Sequence, residues 1–473
     1  MLDRPSQLDL EGLGVSRGIF APAIRYHKGI FYLVTTLVGR GGNFFVTADD
    51  PSGSWSDPVW LPEIDGIDPS FFFDENGSCY IVNNGPPPNN KPLYDGHRAI
   101  WIQRFDLKKN KLVGDRKIIV NGGTNINTRP VWIEGPHIYQ KDNSYFLCAT
   151  EGETAENHSE VVFKSQSVWG PWEPFPGNPI LTQRGLPGNR HDPITCTGHA
   201  DLVETSTGEW WAVFLGCQPY EPTAENYYNT GRETFMAPVD WASGWPVIGE
   251  KHAALKRTYL VPDLDEYAPE GYQPLNGAFN LRDDFEKENL SLSWNFLRTP
   301  TENWFELKDG KLQLNCRSVS LTGLGNPSFI ARRQQHAFCS ATVNIQFRPN
   351  SENEFAGLVA FQNESHFYGL MLAQNGSQPV VRLMKVEDVL VEKAISIEDT
   401  NQQVELRITA HGKTYDFEYR TNDEEWIALA TAVDGTFLST RIAGGFVGTY
   451  LGMYAFGETG NKAAFNWFEY SGK

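Results

Sequence analysis

Short apolar and aromatic runs, about four to eight residues long, alternate along the whole chain with clusters of Gly, Asn, Asp and Pro. Runs such as Ile30-Phe-Tyr-Leu-Val-Thr35, Ser70-Phe-Phe-Phe73 and Val404-Glu-Leu-Arg-Ile408 predict strands, and no segment sustains the apolar period of a helix. The predicted fold class is all-β. In the first half the pattern repeats weakly. Pro22-Ala-Ile, Asp68-Pro-Ser-Phe, Gly135-Pro-His-Ile and Gly198-His-Ala-Asp-Leu each lead through a polar turn into a second, aromatic strand. Taking Pro22, Pro69, Pro136 and His199 as anchors gives units of roughly 50 to 70 residues, the size of propeller blades with several strands each. Most units close on a tryptophan turn, at Trp55, Trp169 to Trp172 and Trp245, and packing between blades is the expected role of these rings.

Four such units are visible, which predicts a propeller domain over 1–260. A linker rich in Pro, Gly and acidic residues is expected over 261–280. From 281 to 473 the period-2 strands continue, as in Ser340-Ala-Thr-Val-Asn-Ile-Gln-Phe347, and predict a two-sheet sandwich.

Composition narrows the function classes. The 473 residues carry a formal net charge of −18, and an acidic surface repels phosphate backbones and anionic membranes. No apolar run approaches the roughly 20 residues of a membrane-spanning helix. The six cysteines contain no C-x-x-C spacing, which argues against a zinc ribbon or a disulfide scaffold and for buried free thiols. No dinucleotide fingerprint, P-loop or H-E-x-x-H occurs.

Inner strands of a propeller converge on one axis, so residues at their starts meet at one mouth. Asp68, Glu134 and His199 occupy such starts. Two carboxyl groups in an aromatic-rich pocket suit glycoside hydrolysis, in which one protonates the leaving oxygen and a second group activates water or attacks. Asp68 as an ordinary Asp-Pro turn cap is the competing reading of the residues alone.

The runs Ile67-Asp-Pro-Ser-Phe, Trp132-Ile-Glu-Gly-Pro-His-Ile, Thr197-Gly-His-Ala-Asp and Gly231-Arg-Glu-Thr resemble the successive active-site motifs of glycoside hydrolase family 43, as do Val82-Asn-Asn-Gly-Pro-Pro-Pro and Gly177-Asn-Pro-Ile-Leu-Thr-Gln. The second half resembles the concanavalin A-like sandwich appended to many members. The resemblance implies a five-bladed type of propeller with about four blades present, and an inverting β-xylosidase or α-L-arabinofuranosidase acting on xylan-derived oligosaccharides. It implies Glu134 as the general acid and Asp68 as the carboxylate that orients it and keeps its pKa high. His199 is expected beneath the sugar, near a water network or a calcium ion, with no cofactor needed for the chemistry. Arg232 is expected to reach sugar hydroxyls, and Phe20 to face the sugar or to pack between blades. The stretch after Met1 resembles the approach to a second blade, so the blade whose Asp-Pro strand carries the family's general base is expected to be absent, and activity impaired. A non-catalytic carbohydrate-binding protein is the alternative. A propeller used only as an interaction platform would have no need of these four polar residues.

Overall fold

The computed structural model describes residues 2–220, 226–260, 276–397, 402–421 and 424–473. Most of the expected linker therefore lies outside the described residues. The chain is all-β and forms two compact units. The first has its described residues within Arg17–Gln218 and Glu233–Tyr267, together with Leu2. The second has its described residues within Asp3–Ser16, Pro219–Arg232 and Ala268–Lys473. Neither unit is a single stretch of chain, which differs from boundaries drawn along the sequence.

The first unit is a four-blade propeller arrangement. Blade one is β1 (Ile19–His27), β2 (Ile30–Leu37), β3 (Gly42–Ala48) and β4 (Val59–Trp60). Blade two is β5 (Ile67–Phe73), β6 (Cys79–Gly85), β7 (Ala99–Asp106) and β8 (Lys111–Asn121). Blade three is β9 (Glu134–Lys141), β10 (Ser144–Glu151), β11 (Ser159–Ser165), β12 (Glu173–Pro174) and β13 (Leu181–Thr182). Blade four is β14 (Thr195–Glu204), β15 (Trp210–Cys217), β16 (Glu233–Asp240) and β17 (Val247–Ile248). Every pairing within a blade is antiparallel, and the first two strands of each blade are joined by a short polar turn.

Aromatic rings fill the faces between blades. Phe45 of blade one meets Phe71 and Phe105 of blade two edge-on, with centroids 5.4 and 5.7 Å apart. Tyr80 of blade two meets Trp169 at 5.5 Å, and Phe146 of blade three meets Trp241 at 4.9 Å. Such pairs contribute about 0.5–1.5 kcal/mol beyond their buried area. The tryptophan turns take part in this packing: Trp245 stacks on Phe175 with centroids 4.9 Å apart.

The second unit is a sandwich of an eight-stranded and a seven-stranded sheet. Phe338–Gln346, Gln403–His411 and Lys462–Gly472 pair in the first sheet, and Phe355–Asn363, His366–Asn375 and Tyr450–Phe456 in the second. Its main apolar cluster is built around Trp304, Tyr368, Tyr415, Phe417, Phe465 and Phe468, and a smaller one around Phe329, Phe361, Phe367 and Tyr454. All six cysteines are free and buried.

Candidate active site

Each inner strand of the propeller carries a β-bulge at the same place, and β14 carries a second between Thr195 and Gly198. In β1 the residues between Phe20 and Ala23 face one residue of β2, and the same shift falls between Ile67 and Ser70 in β5. It recurs between Glu134 and His137 in β9 and between Gly198 and Asp201 in β14. The first residue of each bulge lies in the left-handed region: Ala21 at φ 40°, Asp68 at 55°, Gly135 at 58° and His199 at 59°. The second is Pro22, Pro69, Pro136 or Ala200. A bulge re-aims the side chain that it displaces, and this is how Asp68 and His199 turn towards common ground. The true equivalent of the three prolines in blade four is Ala200, one residue beyond the anchor His199 read from the sequence.

Asp68, Glu134 and His199 come together here. Asp68 is 4% exposed and Glu134 6%. One Asp68 oxygen accepts the backbone N–H of Gly135 at 3.2 Å, and the same oxygen lies 3.5 Å from His199 Nε2. The imidazole lies directly over Gly135. A β-carbon there would stand 2.6 Å from His199 Cε1, so only glycine fits between the acid at 134 and the ring. Burial by itself would lower the pKa of His199. Interaction with Asp68, joined by the charges of Glu134 and Glu160, overcomes this and raises it to about 9.

Arg98, which the sequence did not single out, is a further cation of the site. Its Nε and Nη2 donate to Asn84 Oδ1 at 3.0 and 2.6 Å, and its guanidinium carbon lies 5.0 Å from the Trp132 ring centroid. Burial depresses its pKa while the charges of Glu134 and Asp68 oppose that. Asn84 in turn donates to the carbonyl of Ile133 at 2.6 Å, pinning the residue before Glu134. Asn84 stood in the Val82-Asn-Asn-Gly run, but nothing in that run named its partner.

Below this layer the axis holds a second polar group. Arg25 reaches from blade one to blade four, donating to both oxygens of Asp201 at 2.6 and 2.9 Å. Tyr139 donates to Asp201 at 2.6 Å, and His137 Nδ1 lies 3.0 Å from Arg25 Nη2. Burial lowers the His137 pKa to about 4. Asp201 is half-buried, which opposes ionisation, but Arg25 and His137 hold its carboxyl well below the usual range.

The remaining expected residues fall as follows. Phe20 immediately precedes the bulge of β1, is partly exposed, and accepts the Thr35 hydroxyl on its carbonyl at 2.6 Å. Arg232 belongs to the second unit, where its guanidinium carbon lies 4.5 Å from the Phe446 ring centroid. His158, which had no expected role, is buried with Nδ1 2.9 Å from the Cys196 carbonyl and its ring against Gly198. Among the described residues no group of three or more His, Cys, Asp or Glu side chains is placed to hold a metal ion.

Residues 1–246 match the family described as "Glycosyl hydrolases family 43", and residues 282–471 match "Beta xylosidase C-terminal Concanavalin A-like domain". A xylosidase/arabinosidase of Butyrivibrio fibrisolvens is 35% identical over 100% of this chain and 88% of its own length. A non-reducing end α-L-arabinofuranosidase of Bacteroides ovatus is 36% identical over 99% of this chain and 84% of its own. Among solved structures, a xylan β-1,4-xylosidase from Bacillus halodurans superposes with a TM-score of 0.87 at 32% identity, covering 99% of this chain and 90% of that one.

Proposed function

The chain belongs to glycosyl hydrolase family 43, and from that premise we propose that it is an exo-acting, inverting glycosidase that releases terminal β-D-xylose or α-L-arabinofuranose from xylan-derived oligosaccharides. One observation above all supports this reading: Asp68, in the bulge of β5, is held by His199 and by the N–H of Gly135, the residue that follows Glu134 at the equivalent bulge of β9.

In this reading Glu134 is the general acid that protonates the leaving oxygen. Asp68, held by the Gly135 N–H and His199, stands beside the acid and fixes its approach. His199 forms the floor of the pocket and Phe20 a wall on which sugar C–H groups can stack. Inversion needs an activated water on the opposite sugar face, with the acid and base carboxyls about 6.5–9.5 Å apart. The carboxylates acting on Arg98 are Glu134 and Asp68, and those acting on His199 are these two and Glu160. Asp201 is bound by Arg25. We infer that water activation limits turnover of natural oligosaccharides, which is expected to be slow.

The test is release of 4-nitrophenol from the β-D-xyloside and the α-L-arabinofuranoside, with and without azide, followed by NMR of the released sugar. Release with inverted anomeric configuration, lost in Glu134→Gln, is the expected result. Azide-stimulated turnover would locate the defect in water activation. No release under any condition, with sugar binding retained in calorimetry, would replace the enzyme reading by a carbohydrate-binding one.

A further inference from the structure

Glu160, on β11, is fully buried, and nothing in the reaction as described uses it. Its Oε2 accepts the Thr150 hydroxyl at 2.6 Å and the backbone N–H of Ala200 at 2.9 Å. Thr150 Oγ1 also accepts the backbone N–H of His199 at 2.6 Å. Both N–H groups of the β14 bulge therefore end on this one carboxyl, the second directly and the first through a hydroxyl. His199 sits there at φ 59°, a conformation that a non-glycine residue keeps only when its surroundings over-determine it.

Capping two N–H groups does not require an acid, because an amide oxygen accepts them equally well. Glu160 Oε1 is buried with no hydrogen-bond partner, an arrangement that favours neither folding nor ionisation. What only an acid adds at this point is charge behind the imidazole. We propose that Glu160 is a positioning residue of the glycosidase site, which holds the β14 bulge so that the His199 ring lies on Gly135 against Asp68, and which supplies a further negative charge that keeps the ring cationic. The inference rests on the functional reading above for its catalytic consequence, but its physical content concerns His199 alone.

The electrostatics agree with this geometry. Burial pushes the Glu160 carboxyl up to about 7, against the Ala200 N–H, Thr150 and His199, which hold it down. The other titratable groups facing the pair are Asp68 on β5, Glu134 and His137 on β9, and Cys148 on β10.

The experiment follows the histidine Cε1–Hε1 resonances of the full chain from pH 5 to 10, with His199 assigned by its loss in His199→Gln. In the native chain His199 should titrate above pH 8. Glu160→Gln keeps the acceptor and removes the charge, so the resonance should keep its place while its midpoint falls by roughly half to one pH unit. Glu160→Leu should move the resonance itself and lower kcat on the aryl glycosides by up to about 10²-fold with little change in KM. Should Glu160→Leu not fold, Thr150→Val breaks the link to the His199 N–H and should shift the same resonance. An unchanged His199 midpoint in Glu160→Gln, or an unchanged resonance in the folded Leu or Val variant, overturns the inference. If the native chain releases sugar from neither aryl glycoside, the glycosidase reading falls and the histidine titration still decides this one.

Discussion

At the residue scale, chemistry was legible where a charged side chain interrupted an apolar pattern at a strand start, as Asp68 and Glu134 do. It was illegible where the charge sat inside a strand or faced a partner far away in sequence. Glu160 reads as one polar step in Ser159–Ser165, and Arg98 as the basic end of a loop, yet both bear on His199 or the carboxylates. Two outcomes follow from the proposed roles. Glu134→Gln should lower kcat by about 10²–10⁴-fold on a natural xylo-oligosaccharide. The loss should be much smaller on a 2,4-dinitrophenyl glycoside, whose leaving group needs little protonation, so comparison of the two substrates in one steady-state series checks the acid. Arg98→Met removes the cation beside both carboxylates. Because a nearby opposite charge favours the ionised form, its removal should carry the alkaline limb of the kcat/KM profile upward by roughly one pH unit. A limb that moves down, or stays, would mean that Arg98 does not act on the acid.

At the scale of the element, the Pro-rich anchors announced the inner strands because proline cannot donate to a sheet ladder and settles at bulges. The bulges themselves were not legible. A one-residue shift of register leaves no trace in composition, and the fourth unit was anchored on His199 when Ala200 is the structural counterpart of the prolines. Only pairing across the blade reveals that Asp68, Gly135 and His199 share one position. That equivalence makes Gly135 a sensitive backbone site of the blade. Gly135→Ala adds a methyl 2.6 Å from the His199 ring at φ 58°, so the ring must leave Asp68 or the bulge must unwind. A destabilisation of about 1–3 kcal/mol is expected, read from the urea midpoint at unchanged m-value. Activity should fall further than stability, since the histidine moves even in molecules that remain folded. An alanine variant with the native urea midpoint and turnover would show that the strand start tolerates the shift.

At the scale of the molecule, fold class and the order propeller then sandwich followed from strand period and turn spacing. The membership of Asp3–Ser16 and Pro219–Arg232 in the second unit did not, because contacts such as Arg298 Nε to the Leu13 carbonyl or Asn229 Nδ2 to Tyr415 Oη join residues hundreds of positions apart. Within the propeller the same long reach sets how stability depends on pH. His199 holds its proton to about pH 9 when folded, against 6.5 for a free imidazole, so its contribution is complete below pH 6.5 and is lost as pH rises to 9. Glu160, raised from 4.5 to about 7, likewise loses stability as pH rises between those values. His137, lowered to about 4, has the opposite sign and gains stability from pH 4 to 6.5. Asp201, depressed by Arg25 and His137 against its burial, stabilises above the usual carboxylate range and fails in acid. From about pH 4.5 to 6.5 the Glu160 and His137 terms cancel, which predicts a plateau in Tm bounded by a fall above 6.5 and another in strong acid. Glu160→Gln removes one of the cancelling groups, so the plateau should tilt and Tm should climb from pH 4.5 to 6.5. Asp201→Asn leaves the half-buried Arg25 without its charge partner and should cost about 1–3 kcal/mol at neutral pH while flattening the acid limb. Calorimetric scans of the native chain and both variants over pH 3 to 9 decide this. A Glu160→Gln plateau as flat as the native one would show that His137 does not titrate in the folded propeller as the axis network requires.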